Sequence, residues 1–126
     1  MRLLFLLLAF APLIAAASGT EDEQFAREML ICGYKFQAYS FAPGDATISQ
    51  QAAGQVALYL AAATKVTDAG FIERETKAMK KKALDVALAE FATIKGGNEG
   101  LFAAWGAVKE QCDQKIAAHQ RAAGKI

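Results

Sequence analysis

Residues 25–39 read FAREMLICGYKFQAY. The apolar side chains Phe25, Met29, Cys32, Phe36 and Tyr39 recur in steps of four, three, four and three. A helix turns about 100° per residue, so this spacing puts all five on one stripe. Cys32 sits in the middle of that stripe and is one of two cysteines in the chain. The other, Cys112, falls in the last helical segment, on a matching stripe of Trp105, Val108, Cys112 and His119. A bond between the two sulfurs would staple the first helix to the last.

Working outward, the chain of 126 residues opens with Met1-Arg2 and an unbroken apolar run from Leu3 to Ala17. Ala15-Ala16-Ala17 has the small-x-small form of a signal-peptidase site, so residues 1–17 are expected to be a secretory signal peptide. The run is shorter than the roughly 20 residues a spanning helix needs, and Pro12 interrupts it. Residues 18–126 are then expected to form a single helical domain, periplasmic or secreted, with no membrane association after cleavage. Removing Arg2 from the 14 basic side chains leaves 13 against 13 acidic ones. Such a balance gives no general pull toward nucleic acid or an anionic membrane. Two cysteines in an exported chain point to one disulfide.

Turn and cap signals divide the rest. Thr20 with Glu23 has capping-box spacing, and Glu21-Asp22-Glu23 suits the positive end of a helix, so helix one is expected from Glu21 to Phe41. Pro43-Gly44-Asp45 stops it. Thr47 with Gln50 is a second possible box, opening helix two from Ile48 to about Lys65, with Ile48, Ala52, Val56, Tyr59, Leu60 and Ala63 facing inward. Asp68 can cap helix three, Ala69 to about Lys95, with Ile72, Met79, Ala83, Val86, Leu88, Phe91 and Ile94 inward. Gly96-Gly97 is a stop and Asn98 the next cap, so helix four should run from Glu99 to about Ala122. The boundary between helices two and three is the weakest of these.

Four helices with short connections predict an all-α, up-down-up-down four-helix bundle. At about 1.5 Å of rise per residue, Cys32 lies roughly 18 Å up helix one and Cys112 about 20 Å down helix four. The two cysteines then meet at similar height on antiparallel neighbours. Phe41, Phe91, Phe102 and Trp105 are expected to converge at one end of the bundle.

His119 is the only histidine, which handicaps any triad or histidine-rich metal site. No metal is expected, and no cofactor is called for. A haem could in principle use Met29 and His119, which lie on the same side of the cysteine pair at similar heights. A C-x-x-C-H attachment motif is absent, and nothing beyond length and residue order matches the periplasmic b-type cytochromes. Lys77, Lys80, Lys81 and Lys82 form a basic run on helix three. Glu73, Glu75 and Asp85 stand three or four residues from several of them, so a solvated face with ion pairs is expected, and a docking patch for an acidic protein is the functional alternative. Gly96-Gly97-Asn98-Glu99-Gly100 follows a helix and lacks a phosphate-loop lysine, which makes it a connection rather than a phosphate site. An enzyme needs convergent polar groups in a cleft, and no such pair can be nominated.

Cys32-Gly33-Tyr34 on an early helix, Tyr59-Leu60 on the second and a closing Cys112 resemble small exported helical proteins of Gram-negative bacteria. Among these are the periplasmic immunity proteins that neutralise type VI secretion amidase toxins. The resemblance implies a non-enzymatic inhibitor with another periplasmic or secreted protein as partner, and it places no toxin-contacting residue on this chain. The chain is also similar in size and export to the periplasmic acid-stress chaperones, whose cysteines lie much closer together. The expected function is therefore a protein-binding module, with a small-molecule or haem carrier as the alternative and a homodimer as one possible state.

Overall fold

A computed structural model describes residues 20–41 and 46–124 of the chain. The expected signal peptide and the Pro43-Gly44-Asp45 stop lie outside the described residues. Four helices follow in order, α1 (Glu21–Tyr39), α2 (Ala46–Val66), α3 (Ala69–Ala92) and α4 (Gly97–Gly124), with no strand among the described residues.

The helices begin where their caps dictate. Thr20 Oγ1 accepts from the Glu23 amide at 3.0 Å and Glu23 Oε1 accepts from the Thr20 amide at 3.0 Å, a complete capping box. Asp68 Oδ1 accepts from the Phe71 amide at 2.7 Å and starts α3. Two expected caps are displaced. α2 begins at Ala46, so Thr47 stands inside its first turn, and α4 begins at Gly97, so Asn98 does too. Gly96 and Gly97 supply the turn before α4 with φ of 96° and 62°, values open to glycine at little cost.

The bundle is centred on α1. That helix packs most extensively on α2, less on α3 and less again on α4, while α2 and α3 touch little. The stripe of Phe25, Met29, Cys32, Phe36 and Tyr39 is entirely buried. Phe36 stacks on Tyr59 of α2 at 5.5 Å and meets Trp105 of α4 edge-on at 4.7 Å. Tyr39 takes Phe91 of α3 and Trp105 of α4 edge-on at 5.1 and 5.4 Å. The edge-on contacts satisfy the ring quadrupoles, and all four bury large apolar area.

The up-down-up-down order holds. α4 runs antiparallel to α1, since Phe25 meets His119, Cys32 meets Cys112 and Tyr39 meets Trp105. α3 runs parallel to α1, since Arg27 meets Glu75 and Tyr39 meets Phe91. The Cys32–Cys112 disulfide joins first and last helices with Cα atoms 6.2 Å apart. It closes a separation of 80 residues, which the chain-entropy account rates at roughly 4 kcal/mol. The other two helices sit against further flanks of α1.

That arrangement corrects several inward assignments. Leu60 is 44 % exposed and Val86 49 % exposed, because α2 and α3 each turn only a narrow strip toward α1. Phe41 is 62 % and Phe102 51 % exposed, so the aromatic cluster is built from Phe36, Tyr39, Tyr59, Phe91 and Trp105 instead. Phe71 and Ala87 are the fully buried residues of α3, and Arg27 lies 5.2 Å over the Phe71 ring.

Candidate functional site

With α2, α3 and α4 on three flanks of α1, the fourth flank is left open among the described residues. Ile31 and Lys35 lie on it, off the buried stripe by roughly a quarter turn or more. α3 forms the adjoining wall through Met79, Ala83 and Val86, with Ala78 and Ala87 at its foot and Lys82 at its edge. The result is an apolar groove of about 330 Å³. Ile31 is 41 % exposed there and, with Val86 across the groove, belongs to an apolar patch rather than standing alone. The groove continues past Lys35 and Ala87 into a second cavity of about 260 Å³. There Tyr39, Phe91 and Ile94 meet Ala104 and Val108, so α4 closes that end.

The electrostatics of the first cavity are one-sided. Lys35 from α1 and Lys82 from α3 are its charged lining residues, and no carboxylate lines it. Neither lysine has an ion pair among the described residues, whereas neighbouring charges are taken. Glu75 holds Arg27 at 3.1 Å and Glu28 holds Lys115 at 3.6 Å.

The structure separates the basic run of α3. Lys82 edges the groove, while Lys77, Lys80 and Lys81 line a different depression with Thr76, Leu84 and Asp85. Consecutive residues on a helix point about 100° apart, so Lys80, Lys81 and Lys82 cannot share one face. Lys77 makes the expected ion pair with Glu73 at 3.4 Å on an exposed surface, whereas Glu75 turns to Arg27. The pairing of Lys35 with Lys82 was missed because it joins two helices, and only the 100° step setting Lys82 apart was visible in advance.

Met29 and His119 are not brought to a common cavity. Met29 is fully buried in the core. The His119 ring lies flat on Phe25, centroids 4.0 Å apart, with Nε2 2.9 Å from Asp22 Oδ1. The cavity that His119 lines includes Phe25, Glu28 and Lys115 but not Met29.

Two further polar contacts tie α2 to α4 and brace α4 itself. The Tyr59 hydroxyl donates to Asp113 Oδ1 at 3.1 Å, and Lys109 Nζ donates to Asp113 Oδ2 at 2.6 Å. Burial, reinforced by the Asp113 charge, pushes the Tyr59 phenol well above its usual range. Burial also raises Tyr34 and Tyr39, the latter aided by the charge of Glu90. Among the described residues no group of three or more His, Cys, Asp and Glu side chains is placed to hold a metal ion. The Gly96 carbonyl accepts from the Gly100 amide at 3.2 Å, so the glycine-rich segment forms the exposed first turn of α4. On the far side of the molecule, α2 carries no charged residue from Ala46 to Thr64 and exposes Leu58 and Leu60.

The disulfide fits a protein of an oxidising compartment. Among the described residues no helix is long and apolar enough to cross a membrane. The chain matches no protein-family model, no curated protein and no solved structure.

Proposed function

We propose that this chain is an exported, non-enzymatic protein-binding module of the periplasm, acting as an inhibitor or immunity factor. The observation that carries the reading is the open apolar groove along α1 and α3, where Ile31 and Val86 stand exposed beside Lys35 and Lys82. Exposed apolar ground of this kind, rimmed by polar groups, is characteristic of protein interaction sites. The resemblance of Cys32-Gly33-Tyr34 and Cys112 to the periplasmic immunity proteins supports the same class. The carrier alternative gains nothing from Met29 and His119, since one is sealed in the core and the other is stacked and hydrogen-bonded elsewhere.

The test is site-specific photocrosslinking in a Gram-negative host that exports the protein. A photoreactive residue at Val86 is compared with one at Gln51 on α2. The expected outcome is a single protein adduct of defined stoichiometry. Absence of any protein adduct from both positions, in cells where the oxidised protein accumulates, rejects the reading.

A further inference from the structure

The groove also carries information about the shape and charge of what it takes. We infer that it receives an acidic amphipathic helix of the partner protein, an inference that rests on the binding-module reading above.

Shape comes first. α1 and α3 run parallel and flank the groove as two rails, in register from Arg27 and Glu75 to Tyr39 and Phe91. The slot between them is open from Ile31 to Lys35, with α4 closing it beyond, on a flank of α1 that no other helix among the described residues covers. A flexible acyl chain lying there would keep one side in water. A helix would bring its own polar back and remain apolar only where it touches protein, which is the helix-in-groove mode of recognition. The α3 side of the groove suits that guest. Ala78, Ala83 and Ala87 are small enough for two helix axes to approach within about 8–10 Å. Met79 can adjust to the incoming side chains, and Ile31 and Val86 supply the large contacts at the two edges.

Charge then selects the guest. Lys35 and Lys82 stand on opposite rails, neither with an ion pair among the described residues, and the carboxylate nearest them in the groove is Glu90, in the second cavity beyond Lys35 and Ala87. A helix with Glu or Asp flanking an apolar stripe gains a charge partner on each edge, and a helix with basic flanks meets two like charges. The chain as a whole is close to neutral, so this preference is local to the groove.

The experiment is a display selection against the oxidised protein. The library holds helical peptides with an apolar stripe fixed at i, i+3, i+4 and i+7 and with flanking positions randomised among Glu, Lys, Gln and Ser. Acidic flanks should be enriched, and binding of the selected peptides should fall about tenfold in the double variant Lys35→Glu, Lys82→Glu. That variant should in turn prefer lysine-flanked versions of the same peptides, a reversal that misfolding would not produce. Val86→Glu, at a half-exposed position, should abolish binding with the circular dichroism unchanged. The inference is overturned if selected flanks show no acidic bias, or if the charge swap leaves the preference intact. It is equally overturned if dodecanoate fills the groove while no helix is selected, or if the protein self-associates through Val86. A photocrosslinked partner that contacts only Gln51 would leave the binding-module reading standing and remove this one. Selected acidic helices in the groove with no cellular adduct would keep the groove's preference for acidic helices but remove the partner protein, and with it both the reading and this inference.

Discussion

Cys32 and Cys112 hold the middle of α1 against the middle of α4, and Cys112 is the one fully buried residue of α4. The rest of that helix attaches through half-buried contacts such as Trp105 on Phe36 and the His119 ring on Phe25. Reduction, or replacement of both cysteines by serine, should therefore cost roughly 4 kcal/mol. The loss should also be uneven. Hydrogen exchange should accelerate first and most across α4, while α1 and α2 keep their protection, because their mutual packing does not involve the sulfurs. Uniform acceleration in all four helices would contradict this.

Tyr34, Tyr39 and Tyr59 all bind their protons more tightly in the folded protein than in the unfolded chain. Their contribution to stability is complete below the ordinary phenol value of about 10 and is lost progressively as the pH rises beyond it. Thermal melts should be flat on the acid side of that point with respect to these groups and should fall on the alkaline side. Tyr59→Phe should soften the fall. At neutral pH the same variant should cost only about 0.5–1.5 kcal/mol, because Asp113 keeps Lys109 as partner.

Gly100 lies inside α4, where helix propensity alone would favour alanine by about 1 kcal/mol. A Cβ there would collide with the carbonyl of Lys95, which is backbone and cannot swing aside. Gly100→Ala should therefore destabilise the protein, and by more than Gly97→Ala, whose added Cβ meets open space but whose φ of 62° is strained by about 1–2 kcal/mol. Denaturant melts of the two variants give the comparison.

Two aliphatic side chains that look equivalent in the sequence should differ sharply. Met29→Ala removes a fully enclosed side chain from the core and should cost about 2–5 kcal/mol. Leu60→Ala acts on a half-exposed position and should stay within about 0.5 kcal/mol. Equal losses in chemical denaturation would mean that Leu60 is covered in solution.

These contrasts mark how far the sequence reaches. The stripe from Phe25 to Tyr39, the Thr20–Glu23 box, the Asp68 cap and the cysteine pairing were all legible, because each depends on local spacing or on a single covalent choice. Leu60, Val86, Phe41 and Phe102 were placed inside and stand outside. Periodicity assigns each helix an apolar face but does not say how wide a strip its neighbours cover, and alanine-rich α2 and α3 blur that face further. Lys35 with Lys82 was invisible for a different reason. Their proximity depends on α3 running beside α1, and that adjacency is a property of the assembled bundle.

A chain with two cysteines has one intramolecular pairing available, so oxidation needs an electron acceptor but no reshuffling. Cys32 nevertheless precedes Cys112 by 80 residues and enters the oxidising compartment first. Through that interval the first thiol has no mate within its own chain. Its sulfur faces the side that α4 will occupy, so until α4 arrives it stands open to foreign thiols, and docking of that helix both covers it and closes the ring.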